Sequence, residues 1–137
     1  MSELPTDPNA DDSSRRDFLK VAAATSVAAA ALTGLQRLDL SANPLTGALP
    51  ATLGQLTALH HLDLSANQLT GALPETLGNL QALQQLDLHS NAFHSPLPAS
   101  MGNLSALQYL DLSHNYLSDF LFTQLQKLVA LQHLDLH

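Results

Sequence analysis

Aspartate recurs at every twenty-fourth position, at Asp39, Asp63, Asp87, Asp111 and Asp135, and histidine stands two residues from it at His61, His89, His133 and His137. Carboxylate and imidazole are donors for divalent metals and partners in proton relays. On an extended strand, residues two apart share a face, so His61/Asp63, Asp87/His89 and His133/Asp135/His137 have the spacing for either task. Against a dedicated site, the histidines change column from unit to unit and no three donors recur at a fixed ligand spacing. A metal or small-ligand site is therefore the lesser reading, and no cofactor is expected. The chain offers no nucleophile with a positioned base, no G-x-S-x-G, no phosphate loop and no H-E-x-x-H, so it is read as a non-enzyme.

What would position these groups is a repeat. Of 137 residues, 45% are hydrophobic but only 4% are aromatic, and 32 are leucine. From Leu32 onward the leucines fall into columns: Leu35, Leu59, Leu83, Leu107, Leu131; Leu38, Leu62, Leu86, Leu110, Leu134; and Leu40, Leu64, Leu88, Leu112, Leu136. Asn43, Asn67, Asn91 and Asn115 make a fourth. The spacing L-x-x-L-x-L-x-x-N-x-L predicts one short strand per unit with leucines inward, and an asparagine that satisfies backbone groups where the chain turns. Such units cannot bury their leucines alone, so they stack with strands about 4.8 Å apart.

The residues flanking the inward leucines then face the concave side of the stack, the usual binding surface of a solenoid. They are Arg37 and Asp39; His61 and Asp63; Gln85, Asp87 and His89; Tyr109, Asp111 and His114; His133 and Asp135. Stacked about 5 Å apart, the aspartates are expected to raise one another's pKa and to favour a bound cation or a basic partner. His60 and His94 are expected in loops or on the back.

Charge and composition narrow the function classes. A net charge of −7 with five Lys and Arg in total excludes a surface that neutralises phosphates, so no nucleic-acid partner is expected. Without cysteine there is no disulfide and no thiolate metal site. Residues 1–14, MSELPTDPNADDSS, carry Glu3, Asp7, Asp11 and Asp12 with almost no apolar side chains and are expected to be a disordered leader. After Ser14-Arg15-Arg16-Asp17-Phe18-Leu19-Lys20 comes an uncharged, Ala-rich run from Val21 to Leu32. At about 1.5 Å per residue this run is too short to cross a hydrocarbon core of about 30 Å, so no membrane anchor is expected. The S-R-R-x-F-L-K string resembles the twin-arginine signal of prokaryotic export. That resemblance implies a receptor-read address at Ser14 to Lys20, a signal helix over 15–31, and a destination in the periplasm, at the cell surface or outside the cell.

Residues 32–137 resemble the leucine-rich repeat family, in about 4.5 copies of which the last is cut short. The resemblance implies an α/β solenoid with a curved parallel β-sheet on the concave face and an irregular or short helical back. LTGALPATLGQL at 45–56 and LTGALPETLGNL at 69–80 look like the plant-type subclass of receptor ectodomains and polygalacturonase inhibitors, in which Gly47, Gly71, Pro50, Pro74 and Pro98 shape the back of the coil. Two departures stand out. Ser95 replaces glycine in the third unit, with Pro96 beside it, and the fourth back segment, DFLFTQLQKLVAL, reads as more helical, with Phe120 or Phe122 turned outward. The function expected is an exported, non-enzymatic module whose concave face engages a protein or peptide carrying basic groups. Two alternatives stay open: the His and Asp small-ligand or metal site, and a fragment of a longer array, since the chain stops at His137 in mid-unit without a cap. If the signal remains attached, a helix from about Arg16 to Ala31 is expected to cover Leu35, Leu38 and Leu40.

Overall fold

The computed structural model, which describes residues 34–118 and 122–137, contains nine very short strands, five of them consisting of one leucine between two polar residues. The expectations for the leader, the twin-arginine segment, the helix covering Leu35 and the aromatic Phe120 fall outside those residues. In chain order the strands are β1 (Arg37–Asp39), β2 (Thr46–Ala48), β3 (His61–Asp63), β4 (Gln68–Gly71), β5 (Gln85–Asp87), β6 (Ala92–Ser95), β7 (Tyr109–Asp111), β8 (Tyr116–Leu117) and β9 (His133–Asp135). They form two parallel sheets, one ordered β1-β3-β5-β7-β9 and the other β2-β4-β6-β8, so each of the first four repeats contributes one strand to each sheet and the fifth adds β9 to the first. The second sheet adds to the irregular and short helical back that the repeat pattern implied.

The first sheet keeps the register of the sequence. Arg37 lies opposite His61, Leu38 opposite Leu62 and Asp39 opposite Asp63, and the same columns continue to Asp111 opposite Asp135. The second sheet does not. There Thr46 pairs with Gln68, Thr70 with Ala92 and His94 with Tyr116, so every strand slips two positions against its repeat and Gly71 faces Phe93 rather than Ser95.

Each coil then returns along its back. Pro50, Pro74 and Pro98 hold φ near −70° and ψ near 145°, and each opens a 3-10 segment: Ala51–Gln55, Glu75–Asn79 and Ala99–Asn103. In the fourth coil an α-helical turn, Phe122–Leu125, takes the place of the 3-10 segment, as the changed sequence there leads one to expect. Glycine at the end of the 3-10 segment lets neighbouring coils touch. A Cβ on Gly78 would run into the backbone carbonyl of Ser100, and one on Gly54 into that of Thr76.

Between sheets and back lies the leucine core. Leu38, Leu62, Leu86 and Leu110 are completely buried, Phe93 fills a leucine slot in its column and Met101 another; each such side chain contributes about 1.5–3 kcal/mol relative to exposure. Leu134, which continues the Leu38 column on β9, is 41% exposed. The asparagine column binds coil to coil as expected. Asn91 Nδ2 donates to the carbonyls of Leu88 in its own coil and Leu64 in the preceding one, while its Oδ1 accepts the Leu69 amide. Asn67 and Asn115 repeat the arrangement. Among the described residues no helix is long and apolar enough to cross a membrane.

Candidate functional site

Because β1, β3, β5, β7 and β9 pair in register, the polar residues that flank each inward leucine stack into rows on the outer face of that sheet. The first row is Arg37, His61, Gln85, Tyr109 and His133. A spacing of about 4.8 Å between strands brings planar groups into contact. The His61 Nδ1 and Gln85 Oε1 atoms are 2.6 Å apart, and the Tyr109 and His133 rings stack with centroids 4.5 Å apart and planes 5° from parallel. The Nε2 atom of His61 is enclosed without a hydrogen-bond partner.

The second row is the aspartate column, and local geometry commits half of each carboxylate. Oδ1 of Asp39, Asp63, Asp87, Asp111 and Asp135 accepts the backbone N–H two residues on, a short-range turn that aspartate forms readily. At Asp39, Asp63 and Asp111 the same oxygen also accepts the hydroxyl of Ser41, Ser65 or Ser113, at 2.6–2.7 Å. At Asp135 the extra partner is the His137 ring, 2.9 Å away. At Asp87 the residue two on is His89, whose ring stands 3.9 Å off.

Electrostatics follow these partners. Burial pulls Asp39 upward, but the hydroxyl and amide of Ser41 and the nearby Arg37 guanidinium outweigh it and leave its pKa below the ordinary carboxylate value. The ring and amide of His137 likewise lower Asp135. Asp87 moves the other way: burial raises it, the charges of Asp63 and Asp111 add to the rise, and the His89 amide and ring only partly oppose them. The expectation of mutual elevation along the column thus holds at Asp87 and is overturned at Asp39 and Asp135, where hydrogen bonds to the ionised form win. Burial, followed by the charges of Asp87 and Asp111, also raises the Tyr109 phenol, which keeps it a neutral donor.

Arg37, Asp39, His61, Asp63, Gln85, Asp87, Tyr109, Asp111, His133 and Asp135 therefore share one sheet face, and His89 lies just past the end of β5. His114 lies further on, in the turn after β7. It has φ +54°, in a left-handed position shared with Ala42, Ala66 and Ser90, whose amides continue the ladder to the next coil. His60 is exposed in the loop before β3, and His94 sits on β6 of the second sheet. One grouping cannot be found by reading residues two apart: Asp111 joins Asp87 and His89 across coils, with donor atoms of all three within 4.8 Å of one another. Among the described residues, His61/Asp63 and His133/Asp135/His137 assemble no such triad. The signal for it is the one-coil register, which places Asp111 opposite Asp87.

Comparison with known families gives the architecture its name. Models described as leucine rich repeat match residues 33–93 and 106–128. The chain is a leucine-rich repeat solenoid. Curated protein sequences returned no match, whereas solved structures returned many. The plant peptide hormone receptor RGFR1 in complex with RGF2 is 29% identical with a TM-score of 0.75, over 82% of this chain and 18% of that one. The ectodomain of the receptor kinase SOBIR1 from Arabidopsis thaliana is 31% identical with a TM-score of 0.73, over 81% of this chain and 60% of that one. An internalin from Listeria monocytogenes is 25% identical with a TM-score of 0.64, over 82% of this chain and 32% of that one. This leucine-rich repeat chain thus spans between about a fifth and three fifths of the length of the structures it resembles.

Proposed function

We propose that this leucine-rich repeat chain is a non-enzymatic module that binds a protein or peptide through the outer face of its five-stranded sheet. The observation that carries this reading is the pair of registered rows on that face. The planar groups of His61, Gln85, Tyr109 and His133 run beside a column of carboxylates whose turns use only Oδ1. Stacked planar side chains present rigid area, and the column beside them selects for basic groups in the partner. The receptor RGFR1, which shares the fold, was solved in complex with RGF2. The LTGALP strings at 45–50 and 69–74, which resemble the plant-type subclass, support the same reading. Within this reading residues 1–14 are a leader, 15–31 a twin-arginine export signal and 32–137 the solenoid it delivers out of a prokaryotic cell.

The face is tested by fluorescence anisotropy with labelled peptide pools, one lysine-rich and one glutamate-rich. Asparagine keeps an Oδ1 acceptor for each turn, so the triple variant D63N/D87N/D111N removes three charges while the coil closes as before. It is expected to weaken capture of the lysine-rich pool, and Tyr109→Ala is expected to do the same. Capture unchanged in both variants removes the face from consideration. Export is tested separately by fusing residues 1–33 to a reporter: the R15K/R16K pair is expected to hold the reporter in the cytoplasm.

A further inference from the structure

We infer that Asp87, His89 and Asp111 form a site for one divalent transition-metal ion such as zinc, independent of any protein partner. The donors come from two adjacent coils and lie within 4.8 Å of one another. A tetrahedral shell with bonds of about 2.1 Å sets its donors about 3.4 Å apart, so side-chain rotations on the order of 1 Å close the triad.

Three observations support the assignment. First, this coil departs from its column. Asp39, Asp63 and Asp111 each hold a serine hydroxyl on Oδ1, and Asp135 holds the His137 ring, but at Asp87 the hydroxyl is gone and an imidazole stands in its place without bonding the carboxylate. Second, that imidazole is held from outside the triad. His89 Nδ1 lies 2.9 Å from Ser90 Oγ, a hydroxyl able to accept from an Nδ1–H and so to leave Nε2, the ring nitrogen nearer Asp87, as the metal donor. This is the outer partner that metal-binding histidines use to fix tautomer and direction. Third, no described lysine or arginine neutralises the pair. Asp111 is only 9% exposed and the Asp87 side chain 18%. The two cationic residues among those described lie elsewhere: Arg37 beside Asp39, and Lys127 against Gly102 on the back. Two desolvated carboxylates facing each other without a cation are costly, and a dication bound between them removes that cost. One nitrogen and two oxygens suit zinc and its neighbours. Calcium would ask for six to eight oxygens, which these residues do not supply.

The site is tested by calorimetric titration of the full, untagged chain with zinc chloride, beside thermal unfolding with and without zinc. The decisive variant is His89→Ser, which removes the imidazole and restores the serine found in three other coils, so its fold is retained. Wild-type chain is expected to take up one ion and to melt at a higher temperature in zinc. H89S is expected to bind roughly tenfold or more weakly and to show no shift, and D111N is expected to weaken binding while keeping its turn. No heat from the wild type overturns the site. So does H89S binding that equals the wild type, including the case in which H133A/H137A alone abolishes uptake.

Discussion

At Asp87 the turn that Ser41, Ser65 and Ser113 close with a hydroxyl is closed by a backbone amide alone, and the carboxylate lies between those of Asp63 and Asp111. Its folded-state pKa is raised above the ordinary aspartate value of 3.8. A raised carboxylate supports the fold fully below its unfolded pKa, and that support is lost as pH rises through the folded value. Ionised Asp87 therefore destabilises the chain at neutral pH. Asp87→Asn should be at least as stable as the wild type at pH 7 in metal-free buffer, with the difference closing below pH 3.8; urea midpoints at the two pH values measure it, and a variant weaker at pH 7 contradicts it. Ser95 makes the second residue-scale case. It adopts φ +75°, where its column-mates Gly47 and Gly71 sit at +85° and +83°. A left-handed conformation costs a residue with a Cβ about 1 kcal/mol relative to glycine, so Ser95→Gly should raise stability by about that much, as a shifted urea midpoint at constant slope. That Ser95 departs from its column is visible in the sequence; that its backbone keeps the glycine conformation is not, because nothing local enforces it.

Among the elements, the 3-10 segments depend on close approach between coils. Gly78 has the Ser100 carbonyl where a Cβ would go, while Gly102 faces the aliphatic stem of Lys127. Backbone cannot move aside cheaply and a lysine stem can. Gly78→Ala should therefore cost about 1–3 kcal/mol and Gly102→Ala clearly less, read from chemical denaturation of both variants; equal losses would mean that the contact is not what the glycine column serves. The strands of the first sheet were legible because a buried leucine between two polar residues has period two. The second sheet was not. β2 is exposed at all three positions, so no hydrophobic alternation marks it, and its two-residue slip comes from the pairing of whole coils.

For the molecule as a whole, net charge shrinks as pH falls. Seven histidines and a net charge of −7 mean that protonating every imidazole would bring the formal charge to zero, and the sequence has an isoelectric point of about 5.2. Self-association is expected to rise as pH falls from 8 toward about 5.5 and to reverse on return; light scattering checks this, and a flat profile would refute it. Leucine columns, the asparagine ladder and the parallel stack of the leucine-rich repeat solenoid follow from residue spacing alone, since period dictates which side chains are buried and which backbone groups recur unpaired. Which polar groups meet was settled in three dimensions. Register brought Asp111 to Asp87 and His89, hydrogen bonds split one aspartate column into raised and lowered members, and a left-handed turn took His114 off the sheet, because these contacts join residues of different coils or depend on backbone angles that residue type does not dictate.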